Sequence, residues 1–360
     1  MNEILLDPAF RQQPAQTRRE QFMFKGSAGE YFGIWIVNVL LTILTIGIYS
    51  AWAKVRRQRY FYGNTVLAGA SFDYHARPKQ ILLGRLMVIF LLILYNVLLT
   101  VAPIAGLGAG LLFLFASPWF IMRGLRFTAR VTSYRNVRFD FTGGYGGALL
   151  AYVAAPIVAF VSLGILAPIA SRWTWRYTLG NLRYGDRPVR TSPTLGKLYG
   201  QWWFPALVFI LGLIIVILLA ISVAAISAAS ADGASGIGNT GWATVLYLPS
   251  FTMLLLAGVI YRAGVRNVVF NATVIDDRHR LASSIGRRRF TWITVSNLVA
   301  TVFTLGLARP WAAIRMARYV AQTTALDASG SLEDYSSALV GSGSAVGSEY
   351  MDLEGFDFGF

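Results

Sequence analysis

The chain contains no cysteine, only two histidines and few charges: 14% of its 360 residues are Asp, Glu, Lys or Arg. Without cysteine there is no disulfide, no thiolate nucleophile and no thiolate metal site, although that absence alone does not fix the compartment. His75 and His279 lie far apart in sequence with no His neighbour, so the paired-histidine spacings of metalloenzymes are missing. A glycine-rich phosphate loop followed by Lys is missing too. Charge is absent where it says most: residues 86–122 carry none, and residues 198–261 carry only Asp232. Each run exceeds the roughly 20 residues that cross a bilayer core, so each has room for two spans and a tight turn. The N-terminal stretch MNEILLDPAFRQQPAQTRRE is polar and has no apolar core, so no cleavable signal peptide is expected.

What remains is apolar and basic. Hydrophobic residues make up 55% of the chain and the formal net charge is +15. From Asp327 to Phe360 there are only acidic charges among many Ser and Gly, which predicts an acidic disordered tail over 327–360. The body therefore holds all 32 Lys and Arg residues. In a membrane protein such an excess reports orientation and anionic lipid, and its spread along bilayer-adjacent positions argues against nucleic acid.

One motif recurs three times. Thr45-Ile46-Gly47, Ser162-Leu163-Gly164 and Thr304-Leu305-Gly306 each end an apolar stretch, and twelve residues after each glycine stands Arg59-Tyr60, Arg176-Tyr177 or Arg318-Tyr319. The first and third copies also share Asn38/Asn297, Trp52/Trp311 and Arg56/Arg315 at equal offsets, whereas the second has Ala155 and Ile169 at the Asn and Trp positions. Recurrence at fixed offsets predicts internal repeats. The expected organisation is a polar N-terminus over 1–21, repeat one over 22–144 (broken helix, hairpin, two spans, hairpin), repeat two over 145–290, a partial third repeat over 291–326, and the tail.

Charge predicts which apolar segments cross. With all seven segments spanning, Lys and Arg would divide 17 to 15 between the two sides, which is no bias. If the three motif segments enter and leave on one face, only 80–101/104–122 and 203–227/242–261 cross; the far-side turns hold no Lys or Arg, and all 32 fall on one side. The positive-inside tendency prefers the second arrangement and makes the basic side, with both termini, cytoplasmic. The motif segments are then broken, re-entrant or interfacial helices rather than kinked spans. The fold class is a mainly α, polytopic membrane protein with cytoplasmic β-hairpins. Those hairpins are expected in strand-like stretches beginning at Arg59 and Arg126, with weaker relatives at 176–191 and 266–285, pairing into a small sheet region.

Asn-x3-Thr-x2-Thr-[Ile/Leu]-Gly, then Trp, Arg-x2-Arg-Tyr and a Phe-Asp-aromatic strand, resembles the YjgN-like bacterial inner-membrane proteins, a domain-of-unknown-function family. The copy at 22–85 matches best, notably Phe24-Lys25-Gly26, Thr45-Ile46-Gly47-Ile48-Tyr49 and Trp52-Ala53-Lys54-Val55-Arg56, and the resemblance covers about 22–325. It implies a multi-pass inner-membrane protein and brings no activity with it.

Two residue sets are candidates for function. Arg56, Arg59, Tyr60, Arg123, Arg126, Arg176, Tyr177, Arg315, Arg318 and Tyr319 place Arg forks beside aromatics next to the broken helices, a pattern able to hold anionic phospholipid head groups and equally able to serve as orientation charge. Asn38, Thr42 and Thr45, with Asn297, Thr301 and Thr304, fall on one helical face at spacings of four and three; they could line a polar cavity or hold the break together. Asp73 and Asp140 occupy matching strand positions and are expected to pair with hairpin arginines. Asp276-Asp277 reads as a solvated turn. The functional expectation is a non-enzymatic lipid-binding or envelope-structural membrane protein without cofactor or metal, its working partner membrane lipid of anionic kind and no protein partner specified. The alternative is a transporter or channel for a small or amphiphilic solute acting through the broken-helix region.

Overall fold

The structure, a computed structural model, describes residues 17–229 and 237–341. Its organising element is a sheet that closes on itself. Four hairpins form as the turn chemistry predicts: β3 (Thr65–Leu67) with β4 (Ala70–Tyr74), β5 (Thr132–Tyr134) with β6 (Val137–Phe141), β7 (Leu182–Tyr184) with β8 (Arg187–Thr191), and β9 (Thr273–Ile275) with β10 (His279–Ser283). Ala68 and Gly69, like Arg135 and Asn136, both take positive φ, the mirror-image turn whose twist matches that of its strands. Neighbouring hairpins pair antiparallel through β4–β5, β6–β7 and β8–β9. Two further segments complete the ring. β11 (Thr324–Ser329) pairs with β10 and with β1 (Thr17–Gln21), and β2 (Met23–Phe24) pairs with β3. Only Phe22 separates β1 from β2, and its N–H donates to Thr324 O at 3.1 Å, so the two ends of the eleven-strand order are halves of one continuous strand. The result is a nearly closed antiparallel barrel, in which the strand formed by β1 and β2 pairs with β11 along its first part and with β3 along its second.

Three expectations change here. The segments beginning at Arg59 and Arg126 are helical, in α2 (Ser50–Gly63) and α4 (Pro103–Arg130), and the strands start only at Thr65 and Thr132. Aromatic and β-branched composition suits a strand, but propensity is a weak preference that tertiary contacts override. Here the Thr65 and Thr132 hydroxyls bond the carbonyls of Phe61 and Thr128, each at 2.8 Å, and finish the helix before the strand begins. The polar N-terminus is not confined outside the fold, because residues 17–21 of 1–21 form β1. The tail expected to be disordered from Asp327 instead forms, in its described part, the end of β11 and α12 (Leu332–Gly341). Low hydrophobicity does not prevent a segment from closing a barrel, since the ladder satisfies its backbone groups. Residues 1–16, 230–236 and 342–360, which include parts of the expected N-terminus, far-side turn and tail, lie outside the described residues.

Register puts all four hairpin turns at one end of the barrel and every helical excursion at the other. Tyr74 stands opposite Thr132, Phe141 opposite Leu182, Thr191 opposite Thr273 and Ser283 opposite Thr324, so the chain leaves and returns at a single rim five times. Two excursions are long: α3 (Pro78–Val101) with α4, and α8 (Leu195–Ala229) with α9 (Ile237–Phe270). Four stretches in these helices are long and apolar enough to cross a bilayer: Pro78–Val101, Pro103–Arg130, Leu195–Ser222 and Phe251–Phe270. They overlap the two predicted pairs, the last lying nearer the barrel than the predicted 242–261.

The other three excursions are the motif segments. They are α1 (Ala28–Leu44) with α2; α5 (Tyr145–Leu149), a π turn (Leu150–Ala154) and α6 (Ala155–Val161), followed by α7 (Ala167–Gly180); and α10 (Arg287–Phe303) with α11 (Arg309–Gln322). Each turns back on itself at the glycine. At 17 residues α1 is about 25 Å long, short of the roughly 30 Å bilayer core. The N–H groups of Gly47, Gly164 and Gly306 donate to Thr42 O, Ala159 O and Thr301 O, all at 2.7 Å, and the preceding Ile46, Leu163 and Leu305 sit at φ of 50–51°. This is the bond pattern that closes a helix C-terminus when two residues become left-handed. The tips carry bare apolar side chains, with Ile46 and Leu305 each 95% exposed. Large hydrophobics held in a strained conformation with nothing protein to cover them suit immersion in lipid.

Candidate functional site

The polar face at the break is consumed by the break. The hydroxyls of Thr42 and Thr301 donate to Asn38 O and Asn297 O, at 2.6 and 2.7 Å. Thr45 and Thr304 do more: each donates to a carbonyl four residues back (Leu41, Ala300) and accepts an N–H four residues on, from Tyr49 and Ala308, both at 2.9 Å. One hydroxyl thereby joins the two half-helices. Asn297 clamps the third hairpin, its Nδ2 donating to Ala312 O at 3.0 Å and its Oδ1 accepting from Arg315 at 3.1 Å. Asn38 is also buried, and its Oδ1 has no hydrogen-bond partner.

The tyrosines of the three Arg-Tyr pairs close the base of each helical hairpin. Tyr60 Oη accepts from Ser27 N–H at 2.9 Å and donates to Ser27 O or Glu30; Tyr177 Oη donates to Gly144 O at 3.0 Å; Tyr319 Oη accepts from Gly286 N–H at 2.9 Å. The partners are 33 residues apart each time, which is what a helix pair returning to its own start requires. This role leaves no trace in composition; only the constant tyrosine offset hints at it.

The arginines divide into ties and free groups. Arg59 reaches Tyr74 O (3.3 Å) and Ala76 O (3.4 Å), and Arg126 reaches Phe141 O (3.2 Å) and Gly143 O (3.4 Å), the same two bonds from helix to departing strand. Arg123 lies over the Trp119 ring at 4.9 Å with its Nε buried and unbonded. Arg56 and Arg176 are exposed. Arg315 donates to Ser296 and Asn297 and covers Trp311 at 5.0 Å, while Arg318 donates to Gly26 O at 3.2 Å.

Arg315, Arg318 and Tyr319 come together in a recess of about 380 Å3 between the third helical hairpin and the start of α1. Arg289, Trp292 and Trp311 complete its wall. Arg289 stacks on Tyr319 at 5.2 Å, and among the described residues none of the three guanidinium groups has a carboxylate partner. Arg289 and Trp292 were not foreseen as site residues; their signal was the Arg287–Arg289 run followed by Phe290 and Trp292. The other sequence candidates are distributed around the barrel rim and do not join this recess.

The acidic and histidine residues are engaged elsewhere. Asp140 pairs with Arg130 at 2.9 Å, as expected, whereas Asp73 is exposed and in no ion pair among the described residues. Asp277 pairs with Arg190 at 2.5 Å and Asp276 lies 3.9 Å from Arg187. His75 Nε2 bonds the Ser133 hydroxyl at 2.8 Å. His279 is 2% exposed beneath α12, its Nδ1 accepting from Ser329 N–H and its ring against Tyr335 at 4.6 Å; burial pushes its pKa below the ordinary histidine value. Among the described residues no group of three or more His, Cys, Asp or Glu could hold a metal ion.

Four helices long and apolar enough to cross a bilayer, all leaving one rim of a nearly closed barrel, are those of a membrane protein. The chain belongs to the family described as bacterial protein of unknown function (DUF898), whose match covers residues 19–353. It is similar to the inner membrane protein YjgN of Salmonella typhimurium, with 25% identity over 344 residues, 84% of this chain and 87% of that protein. It is also similar to the inner membrane protein YjgN of Escherichia coli K12, with 33% identity over 154 residues, 42% of this chain and 38% of that one. No solved structure matches. The family and the apolar helices place the protein in the bacterial inner membrane.

Proposed function

We propose that this protein is a non-enzymatic lipid-binding component of the inner membrane, with its barrel and both termini in the cytoplasm, and that it holds anionic phospholipid by the head group. The observation that carries the reading is the recess walled by Arg289, Arg315 and Arg318, three uncompensated guanidinium groups beside two tryptophans. A guanidinium fork grips a phosphate bidentately, and tryptophan favours the depth at which head groups lie. The partition of all 32 basic residues to one side supports the orientation, and the engagement of Asp140, Asp276, Asp277 and His75 in structural contacts supports a role without catalysis. Transport through the helix breaks has less in its favour, because the threonines there are committed to the backbone.

Charge-conserving variants test it. Arg289→Lys with Arg318→Lys keeps the net charge but removes two forks from the recess; Arg262→Lys with Arg288→Lys does the same at exposed positions outside it. Native mass spectrometry of the detergent-purified protein should find phosphatidylglycerol or cardiolipin retention several-fold lower in the first pair only. Equal retention in both pairs would reduce the arginines to orientation charge.

A further inference from the structure

Inside the barrel is a second and larger space. It measures about 490 Å3 and is walled by the inward-pointing, alternating residues of the strands, aromatic ones such as Phe22, Phe72, Tyr134 and Phe139 among them. α12 contributes Leu332 and Tyr335 to the wall, and its Leu339 is 2% exposed. The space has room for about sixteen waters, yet its walls are mostly apolar and offer water little to bond. A volume of this size lies within the range of ligand pockets.

One charge faces the space. Arg266, near the barrel end of α9, donates from Nη1 to Ser283 Oγ at 2.7 Å and from Nη2 to Thr324 Oγ1 at 2.9 Å, with the Phe270 ring 4.1 Å from its guanidinium carbon. Neither hydroxyl can balance the charge. Both are neutral, and each already gives its proton elsewhere, Ser283 to Asn267 Oδ1 and Thr324 to Val320 O. Among the described residues no carboxylate pairs with Arg266, and its two hydrogen bonds there leave three of its five N–H donors over. A cation in apolar surroundings without a counter-charge is costly, and an anion arriving at those donors would remove that cost.

We infer that the barrel is a binding site for a single-chain anionic amphiphile, its carboxylate or phosphate head on Arg266 and its hydrocarbon chain in the aromatic interior. The site is separate from the recess between α1 and the third helical hairpin, and neither depends on the other.

The test uses the full-length protein in nanodiscs of zwitterionic lipid, with radiolabelled palmitate as probe and empty discs subtracted. The native chain should bind palmitate saturably at one site. Arg266→Gln should weaken palmitate about tenfold or more, the value of a hydrogen bond to a charged group, and leave hexadecanol unchanged. Leu281→Trp, which fills the space, should abolish both. Hexadecyl phosphate in parallel assigns the head group: tighter binding than palmitate marks a phosphate ligand, weaker a carboxylate. Arg289→Lys with Arg318→Lys should leave palmitate binding intact, so the two sites can fail separately. If Arg266→Gln does not fold, the native chain still decides, because palmitate and hexadecanol binding equally would overturn the role of Arg266. Absence of saturable palmitate binding, or undiminished binding by Leu281→Trp, would overturn the site itself.

Discussion

Two glycine substitutions that look alike on the page should have opposite signs. Gly306 sits at the third helix break with φ of +95°, and Gly33 lies within α1; a Cβ added at either would meet nothing within 4 Å. Sterics against neighbours are therefore the same, and only backbone conformation distinguishes them. At Gly306 an alanine must adopt a left-handed conformation, costing about 1–2 kcal/mol. At Gly33 it enters an ordinary helix, where alanine is favoured over glycine by about 0.5–1 kcal/mol. The two variants should then differ by about 1.5–3 kcal/mol. At roughly 2 °C per kcal/mol, the lower end of the range for larger domains, Gly306→Ala should melt about 3–6 °C below Gly33→Ala, with the native chain between them. The ten tryptophans give an intrinsic fluorescence signal for thermal unfolding in detergent. Gly47→Ala and Gly164→Ala, at φ of +88° and +85° and equally unobstructed, should behave like Gly306→Ala. If Gly306→Ala matched or exceeded the native melting temperature, the helix would run on through that position and the re-entrant geometry would be wrong.

Two further outcomes follow from the fold. Because the chain has no cysteine of its own, single substitutions report sidedness cleanly: Ala109→Cys and Ser235→Cys should react with an impermeant thiol reagent on intact spheroplasts, and Gly69→Cys and Gly185→Cys at the hairpin turns only after lysis, whereas labelling of the turn positions from outside would invert the proposed orientation. His279 has a pKa lowered by burial, so it binds its proton more weakly folded than unfolded; stability should be complete above about pH 6.5 and fall as pH drops below that value, and the fall in melting temperature between pH 7 and pH 5 should be smaller in His279→Gln.

The sequence by itself determined the features that depend on local pattern. Uncharged runs longer than a bilayer core located the two helix pairs, because burying charge in hydrocarbon is costly. Glycines at one offset marked the three breaks, because the second left-handed residue there has a φ near +90° that side chains resist. The turns at Ala68-Gly69 and Arg135-Asn136 marked two of the hairpins. Tertiary structure decided what depends on partners distant in the chain. That Thr17–Phe24 and Thr324–Ser329 close a barrel could not be read from segments so polar, since their order comes from a ladder supplied by each other and by β3 and β10. Arg59 and Arg126 were legible as basic residues beside aromatics, but their bonds to the carbonyls of Tyr74 and Phe141 appear only when helix and strand meet at the rim. The recess at Arg318 draws its wall from Ser27 and from Gln322, nearly the whole chain apart. The space before Arg266 exists only because the hairpins curl their alternating apolar faces inward, and neither closure nor curvature is encoded in any one hairpin.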